Sequence, residues 1–240
     1  MGEEVIDPGT GGVVANMAPG FLAEAGIEAV YTETWPEEGF SDWLNLANSV
    51  KNSGAELVVG LTASAEEAVQ LVRAFKTVQY NPKAIYLSQG TQVEFQEGLG
   101  PDSEGVLVHS SWDSVVPFDG LLSGEPYTNI DFQRDFEQVY GRKADEDSAI
   151  PFAVCQGVEQ AVRGAGTTDN AALDAWLSAR TAEDPVKTVL GSFHWDERGL
   201  PPDRPFLLVQ WQNEELKFVY PIEGFEDVVT PILYPRPDFQ

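Results

Sequence analysis

The groups in this 240-residue chain that could do chemistry are two histidines, one cysteine and a surplus of carboxylates. His109 and His194 are far apart in sequence and each lies in a segment that reads as strand, so a metal pair or a catalytic base would need a chance geometry. Cys155 is alone, which excludes an internal disulfide and a cysteine metal cluster; it falls on an apolar helix face and reads as a small core residue. Carboxylate runs such as Asp145, Glu146 and Asp147 read as a solvated face. GTGG at Gly9 to Gly12 is too short for a phosphate loop, and G-x-S-x-G, Walker and G-x-G-x-x-G motifs are missing from the sequence. The sequence therefore points away from an enzyme, a metal site and a cofactor. It leaves neutral polar side chains as candidates for binding: Thr62, Ser64, Ser88 and Gln89.

Those four are placed by the stretch Glu56 to Gly90, which reads as strand, polar turn, amphipathic helix and second strand. Glu56 to Gly60 is a short apolar run, and Ser64 with Glu67 has the S-x-x-E spacing of a capping box. Ala68, Leu71, Val72, Phe75 and Val78 recur at helical spacing while Glu66, Gln70, Arg73 and Lys76 stay wet, and Asn81 with Pro82 ends the helix. Ala84 to Leu87 is the next strand. Right-handed crossovers bring both strand C-termini to one sheet edge, where ligands bind in open α/β sheets. Helix capping by Thr62 and Ser64 is weighed equally with ligand contact.

Upstream, Gly11 to Ala25 reads as a helix stopped by Gly26, and Ile27 to Tyr31 as a strand. Ser41 to Val50 reads as a second helix with Trp43, Leu44, Ala47 and Val50 turned inward. The alternation predicts a parallel sheet covered on both faces. Downstream come a short segment at Val93 to Leu99 and a strand at Gly105 to His109, then an aperiodic stretch, Ser110 to Asn129, with the texture of a connection or hinge. Helices follow at Ile130 to Tyr140, Ala149 to Ala165 and Asn170 to Ala179, with Gly141 and Gly166 as stops. Thr188 to Trp195 reads as a strand, Phe206 to Gln212 and Leu216 to Tyr220 as a hairpin, and Pro221 onward as an extended tail.

The chain is long enough to bury a real core as one large domain or two small ones. A formal net charge of −25, from 14 basic against 39 acidic residues, disfavours phosphate backbones and anionic lipid, so nucleic acid is excluded as a partner. The acidity serves solubility, with a high-salt habitat as a second reading. No apolar run reaches the ~18 residues of a membrane helix, and the opening MGEEVIDPGTGG shows no export signal.

Taken together, GFLAEAGIEAVYTETWPEEGFSDWLNLANSVKNSGAELVVG, SEGVLV at Ser103 to Val108, FQRDFEQVYG, and GSFHWDERG followed by LVQWQNEELKFVYP resemble the type I periplasmic substrate-binding proteins. The likeness is to the branched-chain amino-acid and amide branch that serves ABC importers. It implies an α/β fold of periplasmic binding protein-like I type: a parallel-sheet lobe plus an incomplete second α/β lobe. It also implies ligand clamped between lobes by hinge closure, an extracytoplasmic location and ABC permease subunits as partners. On this reading residues 1–110 and 206–221 are the ligand-binding lobe, 111–205 a partial first lobe and 222–240 an extended tail. The opening half of the first lobe is missing, so the stripes of Phe136, Val139, Val154, Val158, Val162, Leu173 and Trp176 need a cover. The expected cover is the missing segment of a longer polypeptide, or else a second copy in a homodimer.

The resemblance adds three site candidates. Thr10 matches the loop before the first helix of the ligand-binding lobe, against a plain turn. Trp112, with Asp113, sits at the first hinge, against an exposed loop pair. Phe152 matches an aromatic that touches ligand from the other lobe, against a core aromatic. Where amino-acid binders present an acidic residue to the ligand ammonium, this chain has Gln89. A neutral amide cannot balance an ammonium, which favours an amide or other neutral polar ligand. The expected function is therefore the substrate-binding component of an ABC importer for a small polar ligand. The alternative is a sensing or regulatory module of the same fold acting through a partner chain.

Overall fold

The computed structural model describes residues 19–36, 39–202 and 204–240. The chain divides into two compact units: residues 1–108, 211–215 and 233–240 form the first, and 109–210 with 216–232 the second. The unit boundary after Val108 lies near the expected lobe boundary, but the C-terminal hairpin is shared between the units. Residues 233–240 belong to the first unit and 222–232 to the second.

The first three strands are β1 (Leu57–Gly60), β2 (Ala84–Leu87) and β3 (Val106–Ser110), parallel and in register with Val58 beside Ile85 and Ile85 beside Val106. They begin a five-stranded sheet of order β1-β2-β3-β8-β9, in which β8 is Leu207–Gln212 and β9 is Glu215–Tyr220. The hairpin between β8 and β9 turns on Asn213 and Glu214, both at positive φ, as a tight two-residue turn requires. Ile85, Leu87, Val106 and Val108 are fully buried on one face, together with Ala68, Val72 and Phe75 of the Ala65–Thr77 helix. Gly60 is needed there because a Cβ would meet Leu87 and Leu71. On the opposite face, Leu57 and Val59 of the edge strand are exposed.

Local chemistry sets the helix ends. Ser64 caps the Ala65–Thr77 helix, accepting from Glu67 N at 3.2 Å, and Glu67 reaches back to Ala63 N at 2.9 Å. That helix ends at Thr77, before Asn81 and Pro82, because Gln79 takes a positive φ and Tyr80 N returns to Phe75 O. The Trp43–Asn52 helix buries Leu46 rather than Leu44, which is half exposed. The short segment Val93–Leu99 is a helix. The expected strand at Ile27 to Tyr31 is not formed: these residues are mostly exposed and pair with no strand among the described residues, and alternation alone does not make a strand. Of the expected Gly11 to Ala25 helix, residues 19–24 are helical and residues 11–18 lie outside the described residues.

In the second unit the stretch expected to be an aperiodic connection carries a hairpin, β4 (Asp119–Leu122) and β5 (Glu125–Thr128), turned by Ser123 and Gly124 at positive φ. The strand expected over Thr188 to Trp195 is likewise a small hairpin, β6 (Val186–Thr188) and β7 (Gly191–Phe193). In both cases the strands are shorter than a clear two-residue alternation needs. Helices span Asn129–Tyr140, Glu146–Ala165 and Asn170–Ser178; the first two end at Gly141 and Gly166 in the left-handed region, as the sequence predicts. The core is Trp112, Phe132, Ala149, Ala153, Val189 and Leu190, with Tyr127, Phe136 and Phe152 packed against it. A second cluster of Val116, Leu207 and Phe218 is covered by Phe225, Val228 and Val229, so this part of the expected tail packs as core.

The Glu146–Ala165 helix turns polar groups inward. Gln156 donates to Leu121 O at 2.9 Å and accepts from Val189 N at 2.9 Å, and Gln160 accepts from Lys187 N and donates to Lys187 O. Its outward stripe is apolar: Ile150, Val154 at 60% exposure and Val158 at 54%. Cys155 is exposed on this side rather than in the core.

Candidate functional site

At the C-terminal ends of β1 and β2, in the first unit, Thr62 and Ser88 are locked together. Ser88 Oγ accepts from Thr62 N and donates to Thr62 O, both at 2.9 Å, while Ser88 N donates to Gly60 O. This clasp extends the β1–β2 ladder past its last pair and leaves Ser88 little capacity for a ligand. Thr62 is different. It is 5% exposed, and its Oγ1 has no hydrogen-bond partner among the described residues. A buried hydroxyl left unpaired is costly and needs a reason.

Gln89 stands next to this clasp. Its Oε1 accepts from Gln92 Nε2 at 3.2 Å, and Gln92 Oε1 in turn accepts from Gly90 N at 3.2 Å, so the carboxamide is oriented with its NH2 group unspent among the described residues. Gly90, at φ 141, is pressed against Phe95 and Val108, which fixes the loop. Its carbonyl is held by Trp211 Nε1 at 2.8 Å. Ser64 has its hydroxyl committed to the helix cap. The edge thus offers neutral groups: a buried hydroxyl, a positioned amide and the start of a helix.

Trp112 and Phe152 are in the second unit, in one aromatic cluster. The Trp112 ring is edge-on to Phe132 at 5.9 Å, and Phe132 lies 4.7 Å from Phe152. Trp112 Nε1 donates to Asn129 Oδ1 at 2.6 Å, and Asn129 Nδ2 holds Asp113 O and Val116 O. The indole edge is therefore consumed within the unit, and Phe152 is half-buried core. Asp113 is half-buried; burial pushes its carboxyl above the ordinary value, against the Val115 amide and Lys217. Thr10 lies outside the described residues. Of the sequence candidates, then, the structure brings together Thr62, Ser64, Ser88 and Gln89, and separately Trp112 and Phe152.

Sequence reasoning missed a cavity of about 190 Å³, lined in the second unit by His109, Ser110, Ser111, Arg204, Pro205 and Phe206. Its two walls are over ninety positions apart in sequence, so no spacing signals it. Among the described residues no cluster of His, Cys, Asp or Glu is arranged to hold a metal, and no helix is long and apolar enough to cross a membrane.

An edge of neutral polar groups at the ends of parallel strands suits ligand binding rather than reaction, and residues 9–215 match the sequence profile of the family described as Periplasmic binding protein. The chain belongs to that family. Solved structures with the same fold include the leucine-, isoleucine-, valine-, threonine- and alanine-binding protein from Brucella ovis in a closed conformation. It has 13% identity, a TM-score of 0.66, and coverage of 91% of this chain and 56% of that one. The branched-chain amino acid transporter substrate-binding protein from Streptococcus pneumoniae, in complex with isoleucine, has 16% identity and a TM-score of 0.65, covering 85% and 56%. An ABC transporter substrate-binding protein from Desulfitobacterium hafniense in complex with Leu has 16% identity and a TM-score of 0.59, covering 89% and 58%. The chain thus spans little more than half the length of these structures. No curated protein matches it. The family and these structures are substrate-binding proteins, not enzymes.

Proposed function

We propose that the chain is the ligand-binding component of an ABC importer, taking a small polar ligand between two α/β lobes without chemistry. The carrying observation is the unpaired, buried Thr62 hydroxyl beside the oriented Gln89 amide at the sheet edge of a periplasmic binding protein fold. Amino acids are one ligand class, since two structural relatives hold isoleucine and leucine. The absence of an acidic partner at Gln89 favours an amide or related neutral compound over a zwitterion. Affinity is set by buried hydrogen bonds and by the population of the closed form, and the location is extracytoplasmic. Permease subunits are the partners of the complete protein. The apolar stripe of Ile150, Val154 and Val158 suits a cover, by a further segment of the lobe or by a second copy of the chain. The same stripe supports the second reading, a sensing module of this fold that passes ligand binding to a partner chain.

The test is thermal unfolding of the 240-residue chain against a panel of amino acids, amides and urea-like compounds. At least one raises Tm saturably, by the mass-action amount its affinity dictates. A panel that leaves Tm unmoved overturns the reading for this chain.

A further inference from the structure

Within the second unit, the end of β3 and the segment leading into β8 line a half-open cavity of His109, Ser110, Ser111, Arg204, Pro205 and Phe206. Ser110 Oγ is spent on the backbone of Trp112. Ser111 N donates to Glu146 Oε1 at 2.5 Å. Arg204 Nη2 donates to Ser111 O at 2.8 Å, and the guanidinium carbon lies 5.3 Å from the Phe193 ring centroid; the remainder of its donor fork has no partner among the described residues. His109 stacks on Phe206 with ring centroids 4.6 Å apart, and neither imidazole nitrogen has a partner among the described residues. Burial lowers the pKa of His109, opposed by Glu146 and reinforced by Arg204; burial also lowers that of Arg204, opposed by Glu146. The walls therefore hold donor capacity in excess of the acceptors that face it.

We propose that this cavity binds a small carboxylate anion, held by the Arg204 guanidinium and by the protonated imidazole of His109. A guanidinium matches a carboxylate in planar, two-bond geometry. The volume of about 190 Å³ exceeds what a single water needs and has room for a carboxylate on a short carbon chain. The charged groups that face His109 are Glu146, on the Glu146–Ala165 helix, and Arg204, on the segment before β8. Neutral His109 offers the anion a hydrogen bond but no charge. Protonated His109 adds a positive charge beside that of Arg204. Binding consequently takes up a proton, and affinity rises as pH falls through the imidazole range. The cavity shares no lining residue with the candidates at the β1–β2 edge, and its binding does not depend on the transport role.

The experiment is a titration of the 240-residue chain with sodium propionate against sodium chloride at equal ionic strength, reading the imidazole proton signals of His109 and His194 by NMR. It is run at about pH 5.5 and about pH 8, on either side of the ordinary imidazole pKa. Propionate, and not chloride, shifts His109 saturably while His194 stays still, binding is several-fold tighter at the lower pH, and saturating propionate raises the His109 pKa. Arg204→Gln abolishes the response, and Arg204→Lys weakens it but keeps its pH dependence. His109→Gln binds weakly and with no pH dependence, read on backbone amide signals of Ser110 and Ser111. Should Arg204→Gln fail to fold, the other two variants decide. No response, an equal response to chloride, or one that survives Arg204→Gln or ignores pH overturns the proposal.

Discussion

Thr62 and Asp113 are residues whose cost to stability is visible without any ligand. The Thr62 hydroxyl is buried without a partner among the described residues, so Thr62→Val, close in shape, raises stability by about 1 kcal/mol. The same change weakens the thermal response to whichever compound binds the edge, a combination that a purely structural threonine would not give. Chemical denaturation with and without that compound checks both halves. Asp113 has a carboxyl raised above its ordinary 3.8 by burial. Below that ordinary value both folded and unfolded chains carry it protonated and it costs nothing. As pH rises through 3.8 and past the folded-state value, the unfolded chain ionises more readily and stability falls. Asp113→Asn keeps an acceptor for Val115 N, so it raises Tm at neutral pH, and the gain vanishes by about pH 3. A gain that is flat with pH would place its cause elsewhere.

The Glu146–Ala165 helix shows at the element scale why part of the fold was legible in sequence and part was not. Its glycine stop and its helical period are local signals, and both hold; it starts at Glu146 rather than the expected Ala149, because Asp145, read from sequence as part of a solvated face, caps it. Which side faces inward is not a local signal. The chain buries Gln156 and Gln160, because β4 and β6 are short and need side chains to satisfy their outer backbone groups, and it leaves Val154 and Val158 wet. Gln156→Leu therefore strands Val189 N and Leu121 O and destabilises the chain by about 2 to 4 kcal/mol. Val154→Asp, on the apolar stripe, changes stability by less than about 0.5 kcal/mol in the isolated chain. Urea unfolding of the two variants side by side reads the contrast. The β4–β5 and β6–β7 hairpins were illegible for a related reason: three or four residues are too few to establish a period, and the side chains that hold Leu121 and Lys187, Gln156 and Gln160, lie far along the chain. The candidate site divides the same way. Its strand ends, at Thr62 and Ser88, followed from the βαβ pattern, whereas the clasp between them depends on a register that only the folded sheet supplies.

Net charge governs the molecule as a whole. At −25 on a 240-residue chain, carboxylates repel one another more often than they pair, and most of the ion pairs formed have an exposed partner and stabilise little. Screening should therefore stabilise the fold: Tm rises by several degrees between about 0.1 M and about 2 M KCl, since the Debye length falls below the spacing of surface charges. A Tm that falls over that range would show that ion pairs rather than repulsion dominate. The account rests, however, on the β1–β2 edge as a place where ligand sits. The most direct test is NMR mapping of the backbone amides on the isotope-labelled 240-residue chain, titrated with the compound that most raises Tm. Saturable shifts concentrated at Thr62 to Ser64 and Ser88 to Gln92 are the predicted result. Shifts that spare those residues, or that fall on another surface of the chain, would contradict it.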